Sequence, residues 1–288
     1  MISVIVLTFN DEAQIGRCLE SIKHLSDDVI VVDSFSDDRT LDICRGLGAR
    51  VFQNPFANQA IQFNWALDNV PVRNEWILRL DSDEIVPGPL SQEISRRVGR
   101  EAGVTAYALN RRMYWMGRWL RHGRMYPHRV VRLFRKGHAR YEERTEEHLI
   151  VDGKIGFMQS DFLEDNRKNS LDYFIRKHLT TAQGELDEML AAAGGRGASK
   201  PGIEPRLLGA KVHRTRWFKE RVYARMPPFA RPFLYFVYRY FICLGFLDGV
   251  PGLTFHVLQG FWYRFYIDAL VYEQRAGQRR TGPDCRKG

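Results

Sequence analysis

Residues 75–84 read EWILRLDSDE. Glu75–Leu80 carries the apolar run of a buried strand and ends abruptly in Asp81, Ser82, Asp83 and Glu84. Carboxylates at i and i+2 can share a face. A hard divalent ion takes such oxygens and completes its shell with water and substrate phosphates. In an open α/β sheet, ligands bind outside the carboxyl ends of the strands, which is where this turn would emerge. An acidic turn alone is as often a helix N-cap, so its meaning depends on the chain around it.

Upstream, the chain alternates regularly. Ile2–Thr8 is a continuous apolar strand, Asp11–Lys23 has helical spacing at Ile15, Cys18, Leu19 and Ile22, and Val29–Asp33 is a second buried strand. Asp38–Leu47 predicts a helix stopped by Gly48, followed by a short strand at Val51–Gln53 and a helix over Asn58–Leu67. This β-α-β-α-β-α-β order predicts an α/β fold: a mostly parallel, mixed sheet with helices on both faces. Thr8–Glu12 follows the first strand and Asp33–Thr40 the second, so both fall at the carboxyl edge. Their short polar side chains and amides suit a nucleoside, with Asp33 able to take base or ribose donors and Thr8 or Glu12 able to bind ribose. Asn10 and Asp37 or Asp38 also serve as N-caps. No GxGxxG and no GxxxxGK[ST] follows the first strand, which disfavours a dinucleotide site and a P-loop.

Downstream, residues 104–158 are rich in Arg and aromatics, with short apolar runs that predict a mixed extension of the sheet. Arg111, Trp115, Trp119 and Arg132 lie in this stretch; aromatic faces stack on sugars and Arg binds phosphate bidentately, so they are candidates for holding a ligand that carries sugar and phosphate. Trp115 and Trp119, at i and i+4, read equally well as core. Residues 168–193 predict a long helix and 194–206 a Gly/Ala/Pro-rich linker. Residues 207–274 form a separate aromatic and basic helical block, with stripes from Phe233 to Leu244 and from Phe255 to Ala269, and 275–288 form a polar tail. No uncharged apolar run reaches the ~18–20 residues of a membrane span. From Arg196 onward there are 17 Lys/Arg against 6 Asp/Glu, a net +11, which leaves the first 195 residues at −2. That asymmetry implies an anionic partner for the tail. The four cysteines are scattered, so reduced thiols are expected rather than a disulfide frame or zinc site. No basic n-region precedes Ile2–Leu7, so no signal peptide is expected.

VIVLTFNDEAQIGRCLESI, VVDSFSDDRT and LRLDSDE together resemble the inverting family 2 glycosyltransferases of GT-A (Rossmann-like) fold, and among them the bacterial lipopolysaccharide-core and exopolysaccharide glucosyltransferases of the WaaE kind. The block GFLDGVPGLTFHVLQGFWYRFYIDA resembles the carboxyl-terminal region of exopolysaccharide members. The resemblance implies a catalytic domain over 1–193, with a nucleotide-sugar half at 1–100 and an acceptor half at 101–193. It further implies that Thr8, Asn10, Glu12, Asp33, Asn64 and Asp81 contact the donor and that Asp83 holds a metal, Mg2+ or Mn2+, on its diphosphate. In the subgroup a His-Glu pair supplies the general base. Here Glu147 matches the Glu while Glu146 stands where His is usual, so the choice between them stays open. A further metal-binding His is replaced by Glu164-Asp165, either of which could substitute; His148 is another possibility.

The function expected is transfer of a sugar, with inversion, from a nucleotide-diphosphate-sugar, a UDP-sugar first, to a lipid-linked or polysaccharide acceptor. Such a hexosyltransferase would be cytoplasmic and peripheral on the inner membrane face, with anionic lipid as partner, no nucleic acid, and a homo-oligomer possible. The alternatives are a nucleotidyltransferase that makes the sugar nucleotide, which would normally carry a Gly-rich basic loop absent from Thr8–Glu12, and a non-enzymatic nucleic-acid or membrane-binding protein.

Overall fold

A computed structural model describes residues 1–142, 149–168, 170–193 and 226–280. In chain order the first unit comprises β1 (Ile2–Thr8), α1 (Ile15–Ile22), β2 (Ser26–Asp33), α2 (Thr40–Gly46), β3 (Arg50–Gln53), α3 (Gln59–Asn69), β4 (Trp76–Asp81), β5 (Glu84–Ile85) and α4 (Gly88–Arg97). It continues with β6 (Val104–Trp115), β7 (Arg118–Trp119), β8 (Arg129–Arg135), β9 (Ala139–Tyr141), β10 (Leu149–Val151) and β11 (Lys154–Glu164).

Every residue of β1 is buried, as expected for a central strand covered on both faces. It pairs in parallel with β2 on one side and β4 on the other, and β3 extends the sheet beyond β2. Successive strand residues alternate between two cores. Val4, Val6, Val31 and Leu78 pack with Ile15, Leu19 and Ile22 of α1 and with Leu90 and Ile94 of α4. Ile5, Ile30 and Ile77 pack with Ala60, Phe63 and Ala66 of α3 on the opposite face. The helix α1 forms because Ile15, Cys18, Leu19 and Ile22 recur at i, i+3, i+4 and i+7 and are all buried. Fully burying each of its aliphatic side chains contributes about 1.5–3 kcal/mol.

The sheet order is β3-β2-β1-β4-β8-β6-β11-β5, with β7 added to β6; β9 and β10 form a separate ribbon. The half from β3 to β4 is parallel. The half beyond it is mixed: β8 runs antiparallel to both β4 and β6, whereas β11 runs parallel to β6. The expected α/β architecture with a parallel amino-terminal half is therefore present. From β1 the chain builds outward through β2 and β3, then returns to place β4 on the other side of β1. The strand order thus reverses between β1 and β4, where Leu7 stands beside Asp81.

The chain divides into Met1–Ser170 and Leu171–Gly288. The boundary falls well before residue 193: α5 (Leu171–Ala193) belongs to the second unit, where it packs with helix Tyr263–Arg280. His178 stacks on Phe174 and meets Tyr263 edge-on, and the Tyr263 hydroxyl donates to Glu185 at 2.7 Å. The two expected helical stripes form a hairpin. Helix Ala230–Val237 continues through a π-helical turn at Tyr238–Ile242; after a short bend, helix Gly249–Phe255 continues through His256–Trp262 into Tyr263–Arg280. Gly249 sits at φ 68°, ψ −150°, a conformation open to glycine, and a Cβ on Gly252 would lie 2.7 Å from the Gly245 carbonyl oxygen. The expected linker 194–206, residues 207–225 of the helical block and residues 281–288 of the tail lie outside the described residues. No single described helix is long and apolar enough to cross a membrane.

Candidate active site

The reversal of strand order between β1 and β4 opens a crevice at their carboxyl ends, the position where open α/β sheets bind ligands. Thr8 ends β1, Asp33 ends β2 and Asp81 ends β4, so three of the sequence-predicted donor residues arrive at one edge.

The hub of this edge is Asp11, which lies between the expected donor residues Asn10 and Glu12 and has no local signal of its own in the sequence. It is 5% exposed, yet its carboxylate accepts from the Thr8 hydroxyl (2.9 Å), the Phe9 amide (3.0 Å), Gln14 Nε2 (2.8 Å) and the Ser82 hydroxyl (2.6 Å). Lys168 Nζ stands 2.6 Å from it and also donates to the Phe9 and Asn10 carbonyls. Asn10 holds φ 51°, a left-handed conformation that Asn tolerates; its amide donates to Ser36 Oγ and its Oδ1 accepts from the Asp37 amide. Glu12 accepts from the Arg39 amide and Nε at the exposed rim. Asp33 is fully buried and accepts from the Ser36 amide and hydroxyl and from Gln53 Nε2. Phe35 is held at φ 64°, strained for a bulky residue, and its ring and that of Phe9 are more than half exposed.

Two arginines shape the acidic turn. Arg79 Nη2 donates to Asp81 at 3.0 Å, and Arg132 Nη2 donates to Asp81 at 2.9 Å and also to Glu84. Arg79 and Asp81 lie on the same face of β4, and this i, i+2 spacing is the signal that could have revealed the pair from sequence. Glu84 is 1% exposed and also accepts from the Asp81 amide. Burial raises its carboxyl to about 7; Arg132 opposes the rise and Asp81 adds to it. Beneath the turn, burial pushes the Cys18 thiol well up, and Glu84, Asp83 and Asp81 push it further. Asp83, half-buried, accepts from Asn166 Nδ2 at 3.0 Å, and its carbonyl accepts from the Asp165 amide.

Among the described residues no three His, Cys, Asp or Glu side chains converge on a metal position. What the crevice offers is hard carboxylate oxygen from Asp83 and Asp81. That fits a Mg2+-like ion held by one or two carboxylates plus substrate phosphates and water.

Other expected site residues are placed elsewhere. Asn64 is a correction: it is 2% exposed, and its amide spans the Tyr141 backbone, donating to the carbonyl at 2.9 Å and accepting from the amide at 3.0 Å. It joins α3 to β9 and presents nothing to a donor. Trp115 is core at 1% exposure, and Arg132 is buried beneath the acidic turn, so neither lines an acceptor surface. Arg111, expected at the acceptor, and Glu164, expected at the metal, pair with each other at 2.8 Å. The guanidinium groups of Arg112 and Arg121 lie over the Trp119 ring, 4.5 and 4.4 Å from its centre. Asp165 pairs with Arg17 at 2.9 Å. Glu146, Glu147 and His148 lie outside the described residues.

Comparison with known proteins brings a family to this site. The family model described as glycosyl transferase family 2 matches residues 3–165. An uncharacterized glycosyltransferase of Rickettsia typhi is 29% identical over 168 residues, 56% of this chain and 57% of that protein. The chain thus spans little more than half the length of that relative. The lipopolysaccharide core biosynthesis glycosyltransferase LpsC of Rhizobium meliloti is 23% identical over 98% of this chain and 96% of its own. Among solved structures, glucosyl-3-phosphoglycerate synthase of Mycobacterium tuberculosis, in complex with Mn2+, UDP and glucosyl-3-phosphoglycerate, is 25% identical with a TM-score of 0.33, covering 40% of this chain and 44% of that one.

Proposed function

The chain belongs to glycosyl transferase family 2, and from that premise we propose that it moves a sugar with inversion from a nucleotide-diphosphate-sugar, a UDP-sugar first, to a lipid-linked saccharide acceptor at the inner membrane face. The observation that carries this reading is the convergence of Thr8, Asp11, Asp33, Asp81 and Asp83 at the strand-order reversal between β1 and β4. The relative LpsC, matched over nearly its whole length and named for lipopolysaccharide core biosynthesis, supports the acceptor class.

In this reading Asp33 and the Thr8–Glu12 turn hold the nucleoside, and the exposed Phe9 and Phe35 rings supply faces for its base. Asp83, with Asp81 beside it, would hold a divalent ion whose chemistry is to neutralise charge on the departing diphosphate. Arg79 and Arg132 fix the Asp81 carboxylate, so that the acidic turn is set before the donor arrives. The acceptor hydroxyl oxygen attacks the anomeric carbon as its bond to the diphosphate breaks, and Glu147, or Glu146 beside it, takes the hydroxyl proton.

A turnover screen of UDP- and GDP-sugars with membrane lipid extract, with and without chelator, tests this. Sugar incorporation into lipid from one donor, lost on chelation, is the expected outcome. Release of pyrophosphate from a nucleoside triphosphate and a sugar phosphate would instead establish the nucleotidyltransferase alternative.

A further inference from the structure

Between Arg231 and Arg264 the chain carries only two charged residues, Arg239 and Asp248. Both are folded inward. Arg239 is 7% exposed, with its guanidinium over the rings of Tyr235 and Phe255, and Asp248 is 1% exposed. Arg231 is turned onto the buried Asp268. Arginine therefore does not interrupt the outer face; its charges are spent inside the hairpin. What remains outside is apolar: Phe241, Ile242, Leu244, Leu247 and Val250 are all exposed, Ile242 and Val250 by about 70%. These residues cluster at the bend, where the arms Ala230–Ile242 and Gly245–Ala276 meet at 69°. The two arms together have the length and composition of a broken membrane span, although neither qualifies alone.

We propose that this hairpin is a re-entrant membrane anchor, with the bend Phe241–Val250 inserted among the acyl chains of one anionic leaflet and the chain returning to the side it entered. A helix of 13 residues, the length of Ala230–Ile242, spans about 20 Å, which exceeds the ~15 Å of one hydrocarbon leaflet. An anionic bilayer is the occupant that the charge distribution favours: the apolar bend is flanked on both sides by a sequence of net +11 from Arg196 onward, which complements acidic headgroups. The buried Asp248 and the close approach of Gly252 to Gly245 hold the bend shut, so its backbone enters lipid already folded. The inference rests on the membrane-surface reading above and adds depth and orientation to it.

The test uses the full chain with Cys243→Ser and Cys285→Ser, labelled with an NBD fluorophore at Val250→Cys or, as a flank control, at Tyr272→Cys; both positions are exposed, so labelling spares the core. Vesicles of phosphatidylglycerol and phosphatidylethanolamine carry a doxyl quencher either deep on the acyl chain or at the headgroup. The label at 250 should be quenched mainly by the deep quencher and the label at 272 mainly by the headgroup quencher. Val250→Asp with Ile242→Asp should weaken vesicle binding about tenfold or more. Binding with both labels equally shallow overturns insertion while leaving surface attachment standing. Failure to bind vesicles at all overturns both, and a label at 250 shielded without lipid in proportion to protein concentration assigns the bend to a second copy instead. No arm reads sugar transfer, so the glycosyltransferase reading is tested separately.

Discussion

The Ser82 hydroxyl donates to Asp11 Oδ2 at 2.6 Å, joining the turn after β4 to the turn after β1 across 71 residues of sequence. Gln14 Nε2 reaches both residues, at 3.1 Å to Ser82 and 2.8 Å to Asp11. The two halves of the proposed donor site are thus set by one buried carboxylate.

Asp11→Asn keeps the volume and removes the charge that Lys168 faces at 2.6 Å. Hydrogen bonds to a charged group contribute about 1.5–3 kcal/mol each, and several weaken together here. Denaturant unfolding should show a loss of about 2 kcal/mol or more, and the donor KM should rise. Unchanged stability would show that the hub does not hold the edge together.

Asn64→Ala separates structure from binding. It leaves the Tyr141 amide and carbonyl buried without their partner, which costs about 1–3 kcal/mol each. The melting temperature should fall while the donor KM of the folded protein stays at the wild-type value. A raised KM at unchanged stability would restore a donor-binding role to this residue.

These two residues mark how far the sequence can be read. The parallel half was legible because its strands are continuous apolar runs and its helices keep a 3.6-residue period; β1 over Ile2–Thr8 matches the expectation residue for residue. Thr8, Asp33 and Asp81 were legible as strand-end polar residues. Asn64 was not, because a buried amide bonding a backbone 77 residues away has no local signature. Asp11 was hidden for a related reason: its importance lies in partners that β4 and the segment after β11 bring to it. Arg132 misleads similarly, since sequence counts a charge but not whether it is turned inward.

Asp28 sets a pH dependence. Burial pushes its carboxyl up, but hydrogen bonds from Ser3 (2.6 Å), the Arg73 amide (2.9 Å) and Arg50 (2.7 Å) outweigh that, and its pKa lies below the ordinary value. A lowered folded-state pKa means stability that is present in full above the unfolded value of about 3.9 and is lost as pH falls through the folded value. Asp28→Asn should therefore destabilise the protein at neutral pH and flatten the acid limb of its stability curve. An acid limb as steep as wild type would remove Asp28 as its source.

The choice of base is open to direct measurement. Glu147→Gln should reduce transfer about 10²–10⁴-fold with little change in donor affinity, because the base addresses the acceptor. Near-normal turnover in Glu147→Gln together with an inactive Glu146→Gln would move the assignment by one residue.

A nucleoside diphosphate and a metal should meet at Asp83. Calorimetric titration of UDP into wild type and Asp83→Asn, with Mn2+ and with EDTA, measures this without an acceptor. Mn2+ should tighten UDP binding to wild type about tenfold or more, equivalent to at least ~1.4 kcal/mol, and Asp83→Asn should keep its fold and its metal-free binding but lose that gain. UDP binding to wild type that is indifferent to metal, or a full Mn2+ gain retained in Asp83→Asn, would contradict it.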